Sequence, residues 1–168
     1  MTNINEIATQ MVTPGKGILA AEESSGTIKK RFDSINVEST EENRMNYRRI
    51  LFETQEAMQN YISGVILFDE TLRQSNKDGK KLVDIINDAG SLPGIKVDMG
   101  AKELAFMSGE TVTEGLDGLR ERLEEYSNLG AKFAKWRAVI AISDKIPSTL
   151  CIDANSHALA RYSALCQE

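Results

Sequence analysis

Short apolar runs alternate along this chain with longer stretches whose apolar residues recur every three or four positions. Ile4, Ile7, Ala8 and Met11 have the spacing of a short amphipathic helix, ended by Pro14, Gly15 and Gly17. The run Gly17-Ile18-Leu19-Ala20-Ala21 predicts a buried strand, and Ser24 to Thr27 a turn. One or two helical turns follow over residues 27–32. From Thr40 to about Met58 a long helix is predicted, with Tyr47, Ile50, Leu51 and Thr54 at helical spacing. Residues 62–68, 94–98 and 131–140 predict three further strands. Between them lie predicted helices over 78–88, stopped by Gly90, and over 113–129, where Leu116, Leu119, Leu123 and Tyr126 form a stripe that Gly130 caps. A last helix starts at Pro147 and Ser148 and carries Leu150, Ala154, Leu159 and Tyr162.

Strand followed by helix, repeated, predicts parallel strands joined by crossover helices, an α/β fold. About four such βα units are legible, without a strong hairpin signal, an obvious linker or a low-complexity segment. Residues 1–168 therefore read as a single domain. A complete eight-unit barrel needs ~250 residues, so the pattern fits either a small open sheet or half of a (β/α)8 barrel.

Charge inside two of the strands is the anomaly that bears on function. Ile95-Lys96-Val97-Asp98 and Phe133-Ala134-Lys135-Trp136-Arg137 both alternate apolar and charged residues. With a side-chain period of two, Lys96 shares a face with Asp98, and Lys135 with Arg137. Edge strands carry such lysines, but a sheet has few edges, and two strands with the same pattern favour a pocket for an anion. Arginine holds phosphate as a planar fork and lysine as a point charge. A lysine among other cations also suits imine chemistry or proton transfer.

The segment Glu22-Glu23-Ser24-Ser25-Gly26-Thr27 follows the first strand, at the end where parallel barrels build their sites. Ser24 and Thr27 fit two readings, a phosphate contact at a helix start or a plain N-cap, and the residues alone leave both open. Arg31, Arg44, Arg48 and Arg49 read as a solvated helix face. Asp69 and Glu70 read as a loop carboxylate pair after the second strand, with contact to the site as the lesser alternative, since strand-end loops build barrel sites.

Composition narrows the remaining classes. The chain has 168 residues, 41% hydrophobic and 27% charged, with net charge −5, which supplies no general attraction to nucleic acid or an anionic membrane. No signal peptide and no membrane-spanning run is expected. Cys151 and Cys166, 15 positions apart on one predicted helix, would lie roughly 22 Å apart, too far for a mutual disulfide, so reduced thiols and a cytoplasmic setting are expected. His157 is the only histidine, and no histidine metal site is expected.

Taken together, several blocks resemble the class I (Schiff-base) fructose-bisphosphate aldolases. They are Gly15-Lys16-Gly17-Ile18-Leu19-Ala20-Ala21 with Glu23-Ser24 and Gly26; Thr40-Glu41-Glu42-Asn43-Arg44; Gly64-Val65-Ile66-Leu67-Phe68 with Glu70-Thr71-Leu72; Gly94-Ile95-Lys96-Val97-Asp98; Gly115-Leu116-Asp117-Gly118-Leu119; Phe133-Ala134-Lys135-Trp136-Arg137; and Ala160-Arg161-Tyr162. They run in order over nearly the whole chain. The resemblance implies a (β/α)8 TIM barrel, of which about the first four units are present. It implies reversible cleavage of fructose 1,6-bisphosphate to dihydroxyacetone phosphate and glyceraldehyde 3-phosphate through a lysine imine, in glycolysis and gluconeogenesis, with no metal or cofactor.

Carried over, Ser24, Thr27 and Arg31 fall on sugar- or phosphate-binding positions, and Arg44 on a position linked to substrate binding. Lys96 and Arg137 match residues near the phosphate or the site wall. Lys135 matches the lysine that assists imine formation and proton transfer, and Asp98 would hold the neighbouring lysines by charge. Glu22 stands where the family usually has aspartate and reaches about one methylene further; a displacement of roughly 1 Å can cost ~100-fold in rate. The family's imine lysine and second catalytic glutamate correspond to positions past Glu168, in members about twice this length. The resemblance also implies a homo-oligomer, tetrameric in complete members. The alternative reading is a non-catalytic half-barrel that binds sugar phosphates or assembles with another chain. A third is a different imine-forming lyase, with Lys96 or Lys135 as nucleophile.

Overall fold

A computed structural model describes residues 4–168. The helices and strands, in chain order, are α1 Ile4–Met11, β1 Gly17–Ala21, α2 Ser25–Asp33, α3 Glu41–Phe52, α4 Gln55–Tyr61, β2 Ile62–Leu67, α5 Asp69–Arg73, α6 Leu82–Asp88, β3 Leu92–Lys96, β4 Ala101–Glu103, β5 Thr111–Thr113, α7 Leu119–Asn128, β6 Phe133–Lys135 and α8 Thr149–Gln167. The chain divides into two compact units, one of Met1–Lys96 with Tyr126–Ala134, the other of Val97–Glu125 with Lys135–Glu168.

The principal sheet has the order β1-β2-β3-β6. β1 pairs parallel with β2 and β2 parallel with β3, with Ala21 opposite Leu67 and Leu67 opposite Ile95. This is the α/β arrangement with helical crossovers that the strand–helix alternation predicts. The central strands are the most apolar: Val65, Leu67, Leu92 and Ile95 are buried, whereas β1 at the sheet edge buries only Ala21. Ile28, Phe32, Phe52, Met58, Leu72 and the Leu82-Val83-Ile85-Ile86 face of α6 complete the core of the first unit.

Glycine shapes the sheet at two positions. The Phe133 ring lies over Gly64 and Gly94, where a Cβ on Gly94 would come within 2.3 Å of Cζ and one on Gly64 within 3.1 Å of Cε1. A larger residue at position 94 would evict that ring.

The structure corrects several sequence-based expectations. The helix expected from Thr40 to about Met58 is two helices, α3 and α4, parted at Glu53 and Thr54. Asp69 and Glu70 open the short helix α5 rather than a loop. The helix expected over 78–88 begins only at Leu82, because Gly79 turns the preceding segment with a φ of +80°. The antiparallel pair β4/β5, with Lys102 opposite Val112, is a hairpin that carried no strong signal in the sequence. The helix expected from Thr113 starts at Leu119, since Gly115 and Gly118 both take positive φ. The strand expected over 131–140 ends at Lys135, so Arg137 lies outside it, as Asp98 lies outside β3.

Hydrogen bonds from side chains take over the backbone past the end of β6. Asp98 Oδ2 accepts the Arg137 N–H at 3.2 Å, and the Arg137 carbonyl accepts from the Thr113 hydroxyl at 2.7 Å. Thr111 likewise donates to the Val139 carbonyl. Backbone groups that a longer strand would pair are thus satisfied by side chains.

Candidate functional site

In the first unit, the end of β1 carries a dense polar cluster. Glu22 and Glu23, both half-buried, follow Ala21, and Ser24 occupies the N-cap position of α2. Its hydroxyl makes no capping bond to the backbone; instead it pairs with the Thr27 hydroxyl at 3.1 Å, and both residues are exposed. The N-cap alternative therefore holds for the position of Ser24 and not for the bond a capping side chain makes. Arg31, one turn further, forms an ion pair with the Glu23 carboxylate and remains exposed.

Behind this loop stands an arginine–glutamate network. Arg44 grips Glu70 through two bonds, Nε at 2.9 Å and Nη2 at 2.5 Å, and gives Nη1 to the Ser39 carbonyl at 2.6 Å. Glu70 also meets Arg48 Nη1 at 3.4 Å, while Arg48 Nη2 donates to the Glu23 carbonyl at 2.7 Å. The Arg44 hydrogen bond, with the charges of both arginines, holds the Glu70 carboxyl below the usual carboxylate range. The same bond raises the Arg44 guanidinium, whereas burial lowers that of Arg48. The reading of these arginines as a solvated face fails for Arg48, whose side chain is 0% exposed. Its signal in the sequence was faint: an arginine one helical turn after Arg44, with no acidic partner on its own helix. Lys96 ends β3 and is half-buried.

In the second unit, Asp98 is buried at 6% exposure and accepts the backbone N–H groups of Gly100 and Arg137. Lys135 is half-buried at the end of β6, and its carbonyl accepts the Val97 N–H at 3.1 Å. The Arg137 side chain is exposed while its backbone is pinned by Asp98 and Thr113. Trp136 stacks against Tyr162 at 5.4 Å between centroids, and burial pushes the Tyr162 phenol up. Cys151 and Cys166 are both free, the first buried and the second exposed.

Sequence reasoning also missed Glu110, 2% exposed, which accepts the Ser148 N–H at 2.5 Å and its hydroxyl at 2.7 Å. Those bonds hold its carboxyl below the ordinary range. Ser148 in turn caps α8 by accepting the Cys151 N–H. Only the start of α8 at Ser148 was legible.

In the first unit, the Ser24 and Thr27 hydroxyls beside Arg31, with the half-buried Lys96 at the end of β3, are donors suited to phosphate and hydroxyl groups; the second unit carries the half-buried Lys135 and the exposed Arg137. Comparison with known proteins gives this set a context. The family model for class I fructose-bisphosphate aldolase matches residues 3–168. A probable class 1 fructose-bisphosphate aldolase of Xanthomonas campestris is 62% identical over 97% of this chain and 48% of its own length. Cytosolic fructose-bisphosphate aldolase 4 of Arabidopsis thaliana is 58% identical over 96% of this chain and 41% of its own length. Among solved structures, fructose-bisphosphate aldolase of Plasmodium falciparum, in complex with TRAP and a small-molecule inhibitor, superposes with a TM-score of 0.92 at 48% identity, covering 96% of this chain and 47% of its own. The chain thus spans about half the length of the relatives it matches, and its α/β fold with parallel strands accords with half of the family's barrel. On the family model and the identity to these relatives, the chain belongs to the class I fructose-bisphosphate aldolase family.

Proposed function

We propose that this chain supplies sugar-phosphate-binding and proton-transfer residues of a class I fructose-bisphosphate aldolase, a lyase that reversibly cleaves fructose 1,6-bisphosphate to dihydroxyacetone phosphate and glyceraldehyde 3-phosphate through a lysine imine. The carrying observation is the family match over residues 3–168, which includes every residue of the candidate set. Ser24, Thr27 and Arg31 bind sugar and phosphate oxygens, and the exposure of all three leaves them accessible. Arg44, braced by Glu70, adds positive charge for substrate binding. Lys96 and Arg137 bind phosphate as a point charge and a fork. Lys135 transfers protons during imine formation, a role that suits a half-buried amine. Asp98, fixed by two backbone amides, balances the lysine charges. Glu22 acts as the carboxylate beside the scissile bond, with one methylene more reach than aspartate.

The cytosolic name of the Arabidopsis relative supports a cytoplasmic setting. No described helix is long and apolar enough to cross a membrane. Assembly as a homo-oligomer completes the reading, a tetramer by the family's habit.

Borohydride trapping tests this division of labour. The chain is incubated with dihydroxyacetone phosphate, reduced, and weighed by mass spectrometry with peptide mapping. Neither Lys96 nor Lys135 is expected to carry an adduct, although the triose phosphate binds. A stable adduct on either lysine would overturn the assignment and favour a lyase with that residue as nucleophile.

A further inference from the structure

The fully buried guanidinium of Arg48 makes one short bond, and it goes to the backbone of the loop that carries Glu22 and Ser24. Its Nη2 donates to the Glu23 carbonyl at 2.7 Å. Its other contacts are weaker: Nη1 reaches Glu70 only at 3.4 Å, the Phe68 ring centroid lies 5.9 Å away, and Nε has no hydrogen-bond partner. Taking a guanidinium out of water is costly, and an apolar side chain of similar volume is often as stable or more so. Fold stability therefore does not account for a charge at this position. The Glu23 carboxylate also attracts Arg48 by charge, but neither acid would be stranded by its loss, because Arg44 grips both Glu70 oxygens and Arg31 pairs with Glu23. What an apolar residue could not do is fix the peptide between Glu23 and Ser24.

We infer that Arg48 is a positioning residue: by holding the Glu23 carbonyl it sets the direction in which Glu22 and Ser24 leave β1, and so tunes sugar-phosphate binding at that loop. The inference rests on the functional reading above for what the loop binds. The clamp itself can be read without ligand. A loop left free by about 1 Å is enough to weaken a site built on it.

The test compares the wild-type chain with Arg48→Met and Arg48→Lys by amide hydrogen exchange and by calorimetric titration with fructose 1,6-bisphosphate. Arg48→Met is expected to melt within about 5 °C of wild type. Its amides at residues 22–27 are expected to exchange at least tenfold faster, those of β2 at an unchanged rate, and its affinity to fall about tenfold, or ~1.4 kcal/mol. Arg48→Lys, whose ammonium can still reach the carbonyl, is expected to recover part of both effects. Faster exchange throughout β2, or no change at 22–27, would overturn the clamp. Wild-type affinity in Arg48→Met with a loosened loop would overturn its role in binding. Absence of binding by the wild-type chain would sink the functional reading instead, with the exchange rates still deciding whether Arg48 holds the loop.

Discussion

Glu70→Gln is expected to destabilise the fold by about 2 kcal/mol at neutral pH, read from the urea midpoint at constant slope. Removing one member of a fully buried ion pair costs ~3–5 kcal/mol, because the remaining charge is left desolvated. Here the charges left are Arg44, which grips Glu70 through two bonds, and Arg48, at 0% side-chain exposure. The expected cost lies below that range because the Glu70 side chain keeps 21% exposure, where solvent screens the pair. The pH dependence has a definite sign. The folded-state carboxyl of Glu70 is held below its ordinary value, mainly by the Arg44 bond. Its contribution is therefore complete above the unfolded value of about 4.3 and fades as pH falls through the lower folded value. The gap between wild type and variant should stay constant from pH 8 to 6 and close only below about pH 4. A gap that grew toward acid pH would show that Glu70 is not held in its charged form.

Gly115→Ala is expected to cost about 3 kcal/mol, adding backbone strain to a clash that no side-chain rotation relieves. Gly115 has φ +129°, and its Cβ would lie 2.9 Å from the Met99 nitrogen and 3.2 Å from both Asp98 Cα and the Val97 oxygen. Arg122 stitches the same two segments together, donating to the Val97 carbonyl at 3.0 Å and the Gly115 carbonyl at 2.5 Å. Gly118 is the control: its φ is +62°, but no heavy atom would meet its Cβ within 4 Å. Gly118→Ala should cost only about 1 kcal/mol, the left-handed penalty alone. Equal losses in the two variants, measured by urea unfolding, would show that the close approach at Gly115 carries no weight.

The difference between these glycines marks how far the sequence could be read. Both sit in a block that the family resemblance picked out, yet only coordinates show which one faces backbone. Strand positions were legible because β1, β2 and β3 are apolar runs bounded by turn residues, and β1 begins and ends where the pattern placed it, although at the sheet edge it buries only Ala21 and is not the buried strand expected. The β4/β5 pair was not, because Ala101–Glu103 is exposed throughout and has no apolar alternation to announce it. The break between α3 and α4 lacks glycine or proline, so periodicity ran straight through it. Charge alternation found Lys96, Asp98, Lys135 and Arg137, but treated all four as strand residues. Asp98 and Arg137 lie past the strand ends, joined to each other and to Thr113 by hydrogen bonds that the sequence does not encode locally. Arg48 and Glu70 were read as a solvated face and a loop carboxylate because their part-buried contact joins residues 22 positions apart on different helices.

Anion recognition by the chain itself is tested by calorimetric titration with fructose 1,6-bisphosphate against fructose. The bisphosphate is expected to bind and the free sugar not, with affinity falling about tenfold or more in Arg31→Ala and in Lys135→Met, as loss of a charge-assisted contact implies. Indistinguishable titrations for the two sugars, insensitive to both substitutions, would contradict it.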